Sequence, residues 1–201
     1  MRPSSLLARA LLCAALAAPL AAAPLAARAA DTYTQTRHPL VLVHGLLGFD
    51  AIGPVNYWYG IPSALRAGGA TVYVTQQSAA NTSVQRGEQL LATLRQLRAA
   101  HGHAKFNLIG HSHGGQTVRY VAAVDPGLVA SVTTVGTPHQ GSKVADAIEA
   151  ATGATGTTGA VAAVTNALAG FISWLSGGSA LPQDSLGALK SLNTAGARTF
   201  N

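Results

Sequence analysis

Ser112 is the residue of this sequence whose setting best suits catalysis, because it lies in the string Gly-His-Ser-His-Gly. A short apolar run from Phe106 precedes the string, and helical spacing of apolar residues follows from Gln116. A strand, a sharp turn and a helix in this order form a nucleophile elbow, whose serine needs small neighbours such as Gly110 and Gly114. In a chain with 22 glycines the string also fits a structural turn, but its flanks favour the elbow. The pattern predicts that Ser112 is a nucleophile for acyl transfer.

A serine nucleophile also needs a base and an orienting acid, and the sequence offers poor candidates for both. The histidines that follow Ser112 are His113 and His139, and the acid between Ser112 and His139 is Asp125. We expect Asp125 at the far end of the helix that starts near the serine, about 15 Å away at 1.5 Å per residue. His113 adjoins the nucleophile and therefore points elsewhere on the turn. Neither a base nor an acid is predicted from these residues.

His101 and His103 are a second possible site, because two imidazoles separated by one residue can bind a metal ion. No carboxylate or cysteine lies nearby in sequence to complete such a site. A solvated connection between a helix and a strand is therefore the favoured interpretation, and we predict no metal site.

The elements that position Ser112 alternate between strands and helices. Strands are predicted over 40–43, 71–74, 106–109 and 131–135, and helices over 61–67, 82–100 and 116–124. This alternation predicts an α/β fold with a mostly parallel, doubly wound sheet. Its site is expected at the carboxyl ends of the strands, where three segments fall: His44 to Gly48, Ser112, and Thr137 to Gly141.

Residues 150–178 differ from the rest of the chain, because alanine, glycine, threonine and valine dominate them. Five apolar residues fall on one helical face: Val161, Val164, Leu168, Ile172 and Leu175. Such a helix either packs in the core or forms a mobile lid that presents an apolar surface to lipid. Flanking glycines favour the lid. The polar segment 179–201 is predicted to be irregular.

Residues 1–29 are predicted to be a signal peptide. Arg2 and Arg9 form its charged start, an apolar run covers 10–20, and Ala-Arg-Ala at 27–29 provides a cleavage site. A membrane anchor and a lipoprotein cysteine at Cys13 are alternatives, but the apolar run is short and contains a proline. We therefore expect a secreted protein whose domain covers 30–201, long enough for a hydrophobic core.

The predicted signal peptide contains part of the positive charge and the single cysteine of the chain. The formal net charge is +6, and three of the 13 basic residues, Arg2, Arg9 and Arg28, lie in the predicted signal peptide. The remaining basic residues form no patch with interleaved aromatic side chains, so nucleic-acid binding is not expected. Cys13 is the single cysteine, so the expected mature domain has none for a disulfide.

Several motifs in register resemble one family, the secreted bacterial triacylglycerol lipases of the Pseudomonas and Burkholderia type, members of the α/β-hydrolase superfamily. The resemblance runs almost continuously from Pro39 to Asn201. It is carried by the segments 41–50 (VLVHGLLGFD), 57–58 (YW), 60–62 (GIP), 86–90 (RGEQL), 107–115 (NLIGHSHGG) and 135–139 (VGTPH).

The resemblance implies roles for particular residues. Ser112 matches the family's nucleophile, and the backbone N–H groups of Leu46 and His113 match its oxyanion donors. His44, Gly45 and His139 match substrate-binding positions of the family, and His44 also shapes the oxyanion loop. The implied substrate is a lipid ester at an interface.

The family also has parts that this sequence does not match. Its catalytic acid and base, its calcium ligands and its disulfide lie beyond the position of Asn201. The resemblance therefore implies the N-terminal portion of a lipase, with the C-terminal part of the fold missing, no cofactor in this chain and impaired activity. The alternative is a non-catalytic remnant of the lipase fold that binds lipid or the membrane chaperone dedicated to such lipases.

Overall fold

The computed structural model describes residues 32–178 and 181–201, so the predicted signal peptide lies outside the described residues. Four parallel strands form the main sheet: β1 (Leu40–Val43), β4 (Val72–Thr75), β5 (Phe106–His111) and β6 (Val129–Val135). Their order in the sheet is β4-β1-β5-β6. Two short strands, β2 (Ala51–Ile52) and β3 (Val55–Asn56), form an antiparallel hairpin. The parallel sheet confirms the predicted fold class.

Helices cover both faces of this sheet. Helix α1 (Ile61–Ala67) packs on one face, whereas α2 (Ser83–His101) and α3 (His113–Val124) pack on the other. The side chains of β1 alternate between the two cores, as the period of a strand requires. Four more helices follow β6: α4 (Lys143–Thr155), α5 (Thr158–Leu175), α6 (Ser185–Leu192) and α7 (Thr194–Phe200).

Two contacts explain the start and the packing of α2. Thr82 caps the helix, and its side-chain oxygen accepts a hydrogen bond of 3.1 Å from the backbone N–H of Gln85. Gly87 faces Tyr120 of α3 so closely that a Cβ at position 87 would overlap the tyrosine ring. The glycine that weakens α2 thus lets α2 and α3 approach each other.

The prediction that the last segment is irregular is wrong. Two helices, α6 and α7, occupy most of residues 181–201. Asp184 accepts a hydrogen bond from Gly187 N–H at the start of α6, and Asn193 accepts one from Gly196 N–H at the start of α7. These side chains accept hydrogen bonds from backbone N–H groups that the first turn of a helix leaves free. The prediction considered only the polar composition of the segment and did not consider these caps.

The apolar helix α5 is packed through its small residues. Ala162, Ala169 and Ser173 are buried. Four members of the predicted apolar face are exposed, whereas the fifth, Ile172, is partly buried against a cluster of alanines that includes Ala79 and Ala80. Packing in the core therefore does not account for most of this face, although the helix itself is confirmed.

Candidate active site

Ser112 sits at the junction of β5 and α3, and its backbone is strained. Its φ and ψ are 53° and −124°, a conformation that residues with a side chain rarely adopt. The Ser112 N–H donates a hydrogen bond of 2.9 Å to Val135 O on β6, and the Ser112 carbonyl accepts one from Gly115 N–H. These bonds hold the sharp turn between strand and helix that the sequence predicts.

Glycines make room for this turn. A Cβ on Gly110 would overlap the backbone of Gly114, and a Cβ on Gly114 would overlap the carbonyl group of Val43. A Cβ on Gly45 would lie 2.9 Å from the Ser112 Cβ, so the loop after β1 rests directly against the serine. The glycines around Ser112 are therefore required by close approach of backbone to backbone.

A cavity of about 370 Å³ opens beside Ser112. It lies between the loop after β1 and helices α4, α5 and α6. Its wall is mostly apolar and includes Leu46, Pro138, Ile148, Val161 and Leu189. An apolar cavity that reaches a strained serine can accommodate a hydrocarbon chain while the serine contacts a polar group at its end.

Among the described residues, neither the Leu46 N–H nor the His113 N–H donates to a backbone carbonyl outside its own helix or strand. Leu46 lines the same cavity as Ser112, and His113 directly follows the serine at the start of α3. The next residue along the loop, Leu47, has a φ of 54° and donates from its N–H to Ala79 O over 2.7 Å. The oxyanion role predicted for these two N–H groups stays a prediction.

His44 is buried beneath this loop and holds its shape. Its Nε2 accepts a hydrogen bond of 3.2 Å from Gln77 N–H, so Nδ1 carries the proton and donates to Gly45 O over 2.9 Å. Burial and the nearby Arg86 guanidinium lower the pKa of His44 to about 3. The imidazole is therefore neutral at physiological pH and acts in the structure through hydrogen bonds.

His113 directs its side chain away from the serine. Ser83 Oγ donates to Gln116 Oε1 over 2.6 Å and accepts from His113 Nε2 over 3.0 Å. Burial, Arg86 and His44 together lower the pKa of His113 well below its usual range. The side chain therefore anchors α3 to α2.

His139 and Asp125, the other two candidate residues, each bind side chains other than Ser112. His139 Nδ1 accepts from Arg119 over 3.1 Å, and its Nε2 lies 3.0 Å from Thr134 Oγ1, while the neighbouring Pro138 lines the cavity. Asp125 forms an exposed ion pair with Arg95 over 3.3 Å at the far end of α3. Neither residue contacts Ser112 Oγ.

Tyr57 and His111 are neighbours of the serine that the sequence pattern did not single out as site residues. The Tyr57 hydroxyl lies 2.5 Å from His111 Nδ1, and a Cβ on Gly45 would be 2.9 Å from that hydroxyl. The Tyr57 ring also packs against those of His44 and Trp58. The aromatic segment around Tyr57 is the available signal, but its contact with the elbow depends on the fold.

Histidines at the elbow thus contact groups other than Ser112 Oγ, and the described residues bring no histidine and carboxylate together at the serine. Nor do residues 32–178 and 181–201 contain a cluster of three or more His, Cys, Asp or Glu side chains that could hold a metal ion. His103 instead lies 2.8 Å from the Tyr73 hydroxyl through Nε2.

Residues 38–191 match the family model described as the alpha/beta hydrolase fold. The chain belongs to the α/β-hydrolase fold family. The matched range contains the whole elbow and the loop that supplies Leu46, so the geometry and the family match concern the same part of this α/β hydrolase.

Curated relatives of this α/β hydrolase include triacylglycerol lipases. The chain is 52% identical over 170 residues to one from Vibrio cholerae serotype O1, covering 84% of this chain and 54% of that protein. It is 48% identical over 179 residues to one from Burkholderia plantarii, covering 87% of this chain and 50% of that protein. The chain therefore spans about half the length of these relatives.

Solved structures support the fold. The mature Bacillus licheniformis lipase BlEst2 superposes with a TM-score of 0.54 at 23% identity, over 81% of this chain and 57% of that one. The metagenomic carboxyl esterase MGS0156 superposes with a TM-score of 0.57 at 18% identity, over 81% of this chain and 44% of that one. At these identities the likeness concerns the fold alone.

Proposed function

We propose that this α/β hydrolase cleaves triacylglycerols and related lipid esters, with Ser112 as the nucleophile. The observation that carries the proposal is the strained backbone of Ser112, held among glycines at the mouth of an apolar cavity. The identity to bacterial triacylglycerol lipases supports the substrate class.

In the proposed reaction, Ser112 Oγ attacks the ester carbonyl carbon while a base takes the hydroxyl proton. The N–H groups of Leu46 and His113 donate to the oxygen that becomes negative, and collapse of the intermediate expels the alcohol, which receives the proton. Water then attacks the acyl-enzyme in the same way, releasing the fatty acid and restoring the Ser112 hydroxyl. The described residues supply the nucleophile and the donors, but no base in contact with Ser112 Oγ.

Helix α5 is proposed to act as the lid of the cavity. Val161 and Ala162 line the cavity, whereas Leu168, Phe171 and Trp174 are exposed on the helix, with 48%, 56% and 63% of their surface accessible. Contiguous apolar surface of this kind is typical of sites that bind membranes, lipids or proteins. The end of the helix is tethered to the body by a hydrogen bond from Gln76 to Ser176.

Secretion through residues 1–29 and assistance by a membrane chaperone are further parts of the proposal. The curated relatives support a lipid ester as the substrate. Export and the chaperone stay predictions from the sequence and from the resemblance.

Fluorophosphonate labelling tests the nucleophile directly. In a longer form of the protein that supplies a base, we expect an adduct at Ser112 by peptide mass spectrometry, because phosphonylation needs an activated nucleophile and oxyanion donors. Ser112→Ala should abolish it, and Ser142→Ala, which removes another serine hydroxyl from the same cavity wall, should leave it intact. An adduct on another residue with Ser112 unmodified would overturn the assignment.

Lipid binding without catalysis is the competing function, because the apolar helix is present whereas no base contacts the serine among residues 32–178 and 181–201. Flotation with triolein emulsion droplets separates the two. Droplet binding without Ser112 labelling, in this chain and in any longer form that adds a histidine and an acid, would favour the binding protein.

A further inference from the structure

Arg86 on α2 is completely buried and has no carboxylate partner in the described part of the chain. Burial lowers its pKa to about 9, so the guanidinium still carries its charge at neutral pH. Replacing a buried ion with an apolar side chain of similar volume often leaves a protein equally stable or more stable. The presence of a charge here therefore points to a task other than stabilising the core.

Three segments of chain receive hydrogen bonds from this one side chain. Nη2 donates to His44 O over 2.6 Å, and Nη1 donates to Ser78 O. Nε donates to Thr117 Oγ1 over 3.3 Å, on the helix that begins after the nucleophile. The planar guanidinium can donate in several fixed directions, whereas a lysine ammonium is a single point on a flexible stem.

The first two of these segments hold the loop that carries the Leu46 N–H. His44 O, one acceptor of Arg86, belongs to the peptide group that joins His44 to Gly45. The second acceptor, Ser78 O, lies between two residues that bind the same loop: Gln77 N–H donates to His44 Nε2, and Ala79 O accepts from Leu47 N–H. The guanidinium therefore connects the start of the loop, at His44, with the segment 77–79, which is hydrogen-bonded to the same loop. The loop has a strained backbone at Leu47.

We propose that Arg86 is a positioning residue that holds the backbone N–H of Leu46 toward Ser112. It does so by fixing the carbonyl groups of His44 and Ser78 and by tying both to α3 through Thr117. The meaning of this position for catalysis rests on the proposed function, but the position itself can be measured without any turnover.

Amide hydrogen exchange of the protein, followed by NMR, is the primary test. Arg86→Met keeps an apolar stem and removes every donor, and Arg86→Lys keeps the charge and a single donor group. Arg66→Met is the matched control, because Arg66 also donates to a backbone carbonyl, Val72 O, over 2.7 Å, but from helix α1, which covers the other face of the sheet.

We expect the amides of Leu47 and Gln77 to exchange at least tenfold faster in Arg86→Met, with Arg86→Lys intermediate. Amides of β5 and α3 should change less than twofold, and Arg66→Met should leave the Leu47 and Gln77 amides unaffected. Unchanged exchange at Leu47, or equal acceleration at every amide of the domain, would overturn the proposal.

The unsubstituted protein gives a second test in case the variants fail to fold. A clamped loop opens only when the domain unfolds, so Leu47 N–H should exchange as slowly as the core amides of β5. Much faster exchange at Leu47 would contradict the clamp.

Fluorophosphonate labelling distinguishes failure of this proposal from failure of the proposed function. Where Ser112 labels, Arg86→Met should lower the second-order labelling rate on the order of 100-fold, the range seen when one oxyanion donor is lost. Absence of Ser112 labelling in an unsubstituted longer form that supplies a base would count against the proposed nucleophile. A normal labelling rate in Arg86→Met would count against the clamp.

Discussion

At the scale of single residues, the site depends on where side chains are absent as much as on where they are present. Ser112 adopts its strained backbone because Gly45, Gly110 and Gly114 leave room for neighbouring backbone. His44 and His113 are buried in neutral form and hold backbone segments in place. The catalytic potential of the serine therefore comes from its surroundings, which single substitutions can test.

Gly114→Ala should destabilise the domain by about 1 to 3 kcal/mol, because the new Cβ would overlap the Val43 carbonyl group in a packed interior. Gly170→Ala is the matched control, since nothing lies within 4 Å of its Cβ position on helix α5. That substitution should stabilise the domain by about 0.5 to 1 kcal/mol. Urea unfolding measures both, and equal effects would contradict the packing argument.

The stability of the domain should fall as the pH is lowered from about 6.5. The pKa of His44 is about 3 in the folded state against 6.5 as its ordinary value, so the unfolded chain binds the proton first. Between these values each such histidine should remove about 1.4 kcal/mol of unfolding free energy per pH unit. His113 adds to the slope in the same direction.

His44→Gln cannot take up this proton and should therefore flatten the pH dependence by the contribution of one group. The measurement is the unfolding free energy from urea titrations at pH 5, 6 and 7, compared between the two proteins. The absolute stability of the variant is not the test. An identical slope in both proteins would show that His44 is not responsible.

At the scale of elements, α5 separates its small and large side chains onto different faces. Ala162 and Ala169 are buried, whereas Leu168 and Trp174 are exposed. The packing of α5 therefore buries little apolar area, so its contribution to folding is small. The proposed lid is consistent with this division, because the helix would lose little apolar contact if it moved away.

Leu168→Ser should weaken binding to triolein emulsion droplets severalfold while leaving the unfolding free energy nearly unchanged, because Leu168 is 48% exposed. Ile172→Ser is the matched control on the same helix. Ile172 packs against Ala79 and Ala80, so its loss should destabilise the domain by about 1 to 2 kcal/mol. Flotation and urea unfolding give the two readouts. Droplet binding that is insensitive to Leu168→Ser would contradict the lid surface.

At the scale of the whole molecule, the sheet is covered unevenly. Strand β6 is an edge strand, and the four consecutive residues Ala130, Ser131, Val132 and Thr133 are exposed. At the other edge, β4 buries Val72 and Thr75. An exposed edge strand can pair with another chain.

The 201-residue chain should therefore associate in solution. It should also turn over esters very slowly, because the described residues place no base at Ser112. Oxyanion donors and binding alone leave about 10³ to 10⁴-fold over the uncatalysed reaction, far below a working enzyme. Light scattering after size exclusion measures association, which Val132→Lys should reduce by placing a charge on the edge.

Hydrolysis of p-nitrophenyl butyrate measures the turnover of the same protein. A monomer that turns over faster than about 1 s⁻¹, with loss of activity in Ser112→Ala, would contradict this expectation. It would require a base at the serine, and His111 and His139 would be the first residues to replace.

The sequence by itself determined the order of the four main strands and of helices α1 to α3, together with the elbow and its serine, because these depend on local patterns; helix α4 and the β2–β3 hairpin were not predicted. Apolar periodicity and the glycines of the turn are readable within a few residues. Boundaries differed modestly: α3 begins at His113 instead of Gln116, because the backbone turns into the helix immediately after Ser112. The two helices after residue 184 were missed because capping side chains outweighed a polar composition.

Tertiary structure alone decided which distant residues meet. The contact of Tyr57 with His111, and the three segments held by Arg86, join positions separated by tens of residues with no shared local pattern. Likewise, helical periodicity identified the apolar face of α5 but could not tell whether this face packs inward or faces solvent. Burial depends on what lies opposite a surface once the chain has folded, and only the fold brings those partners together.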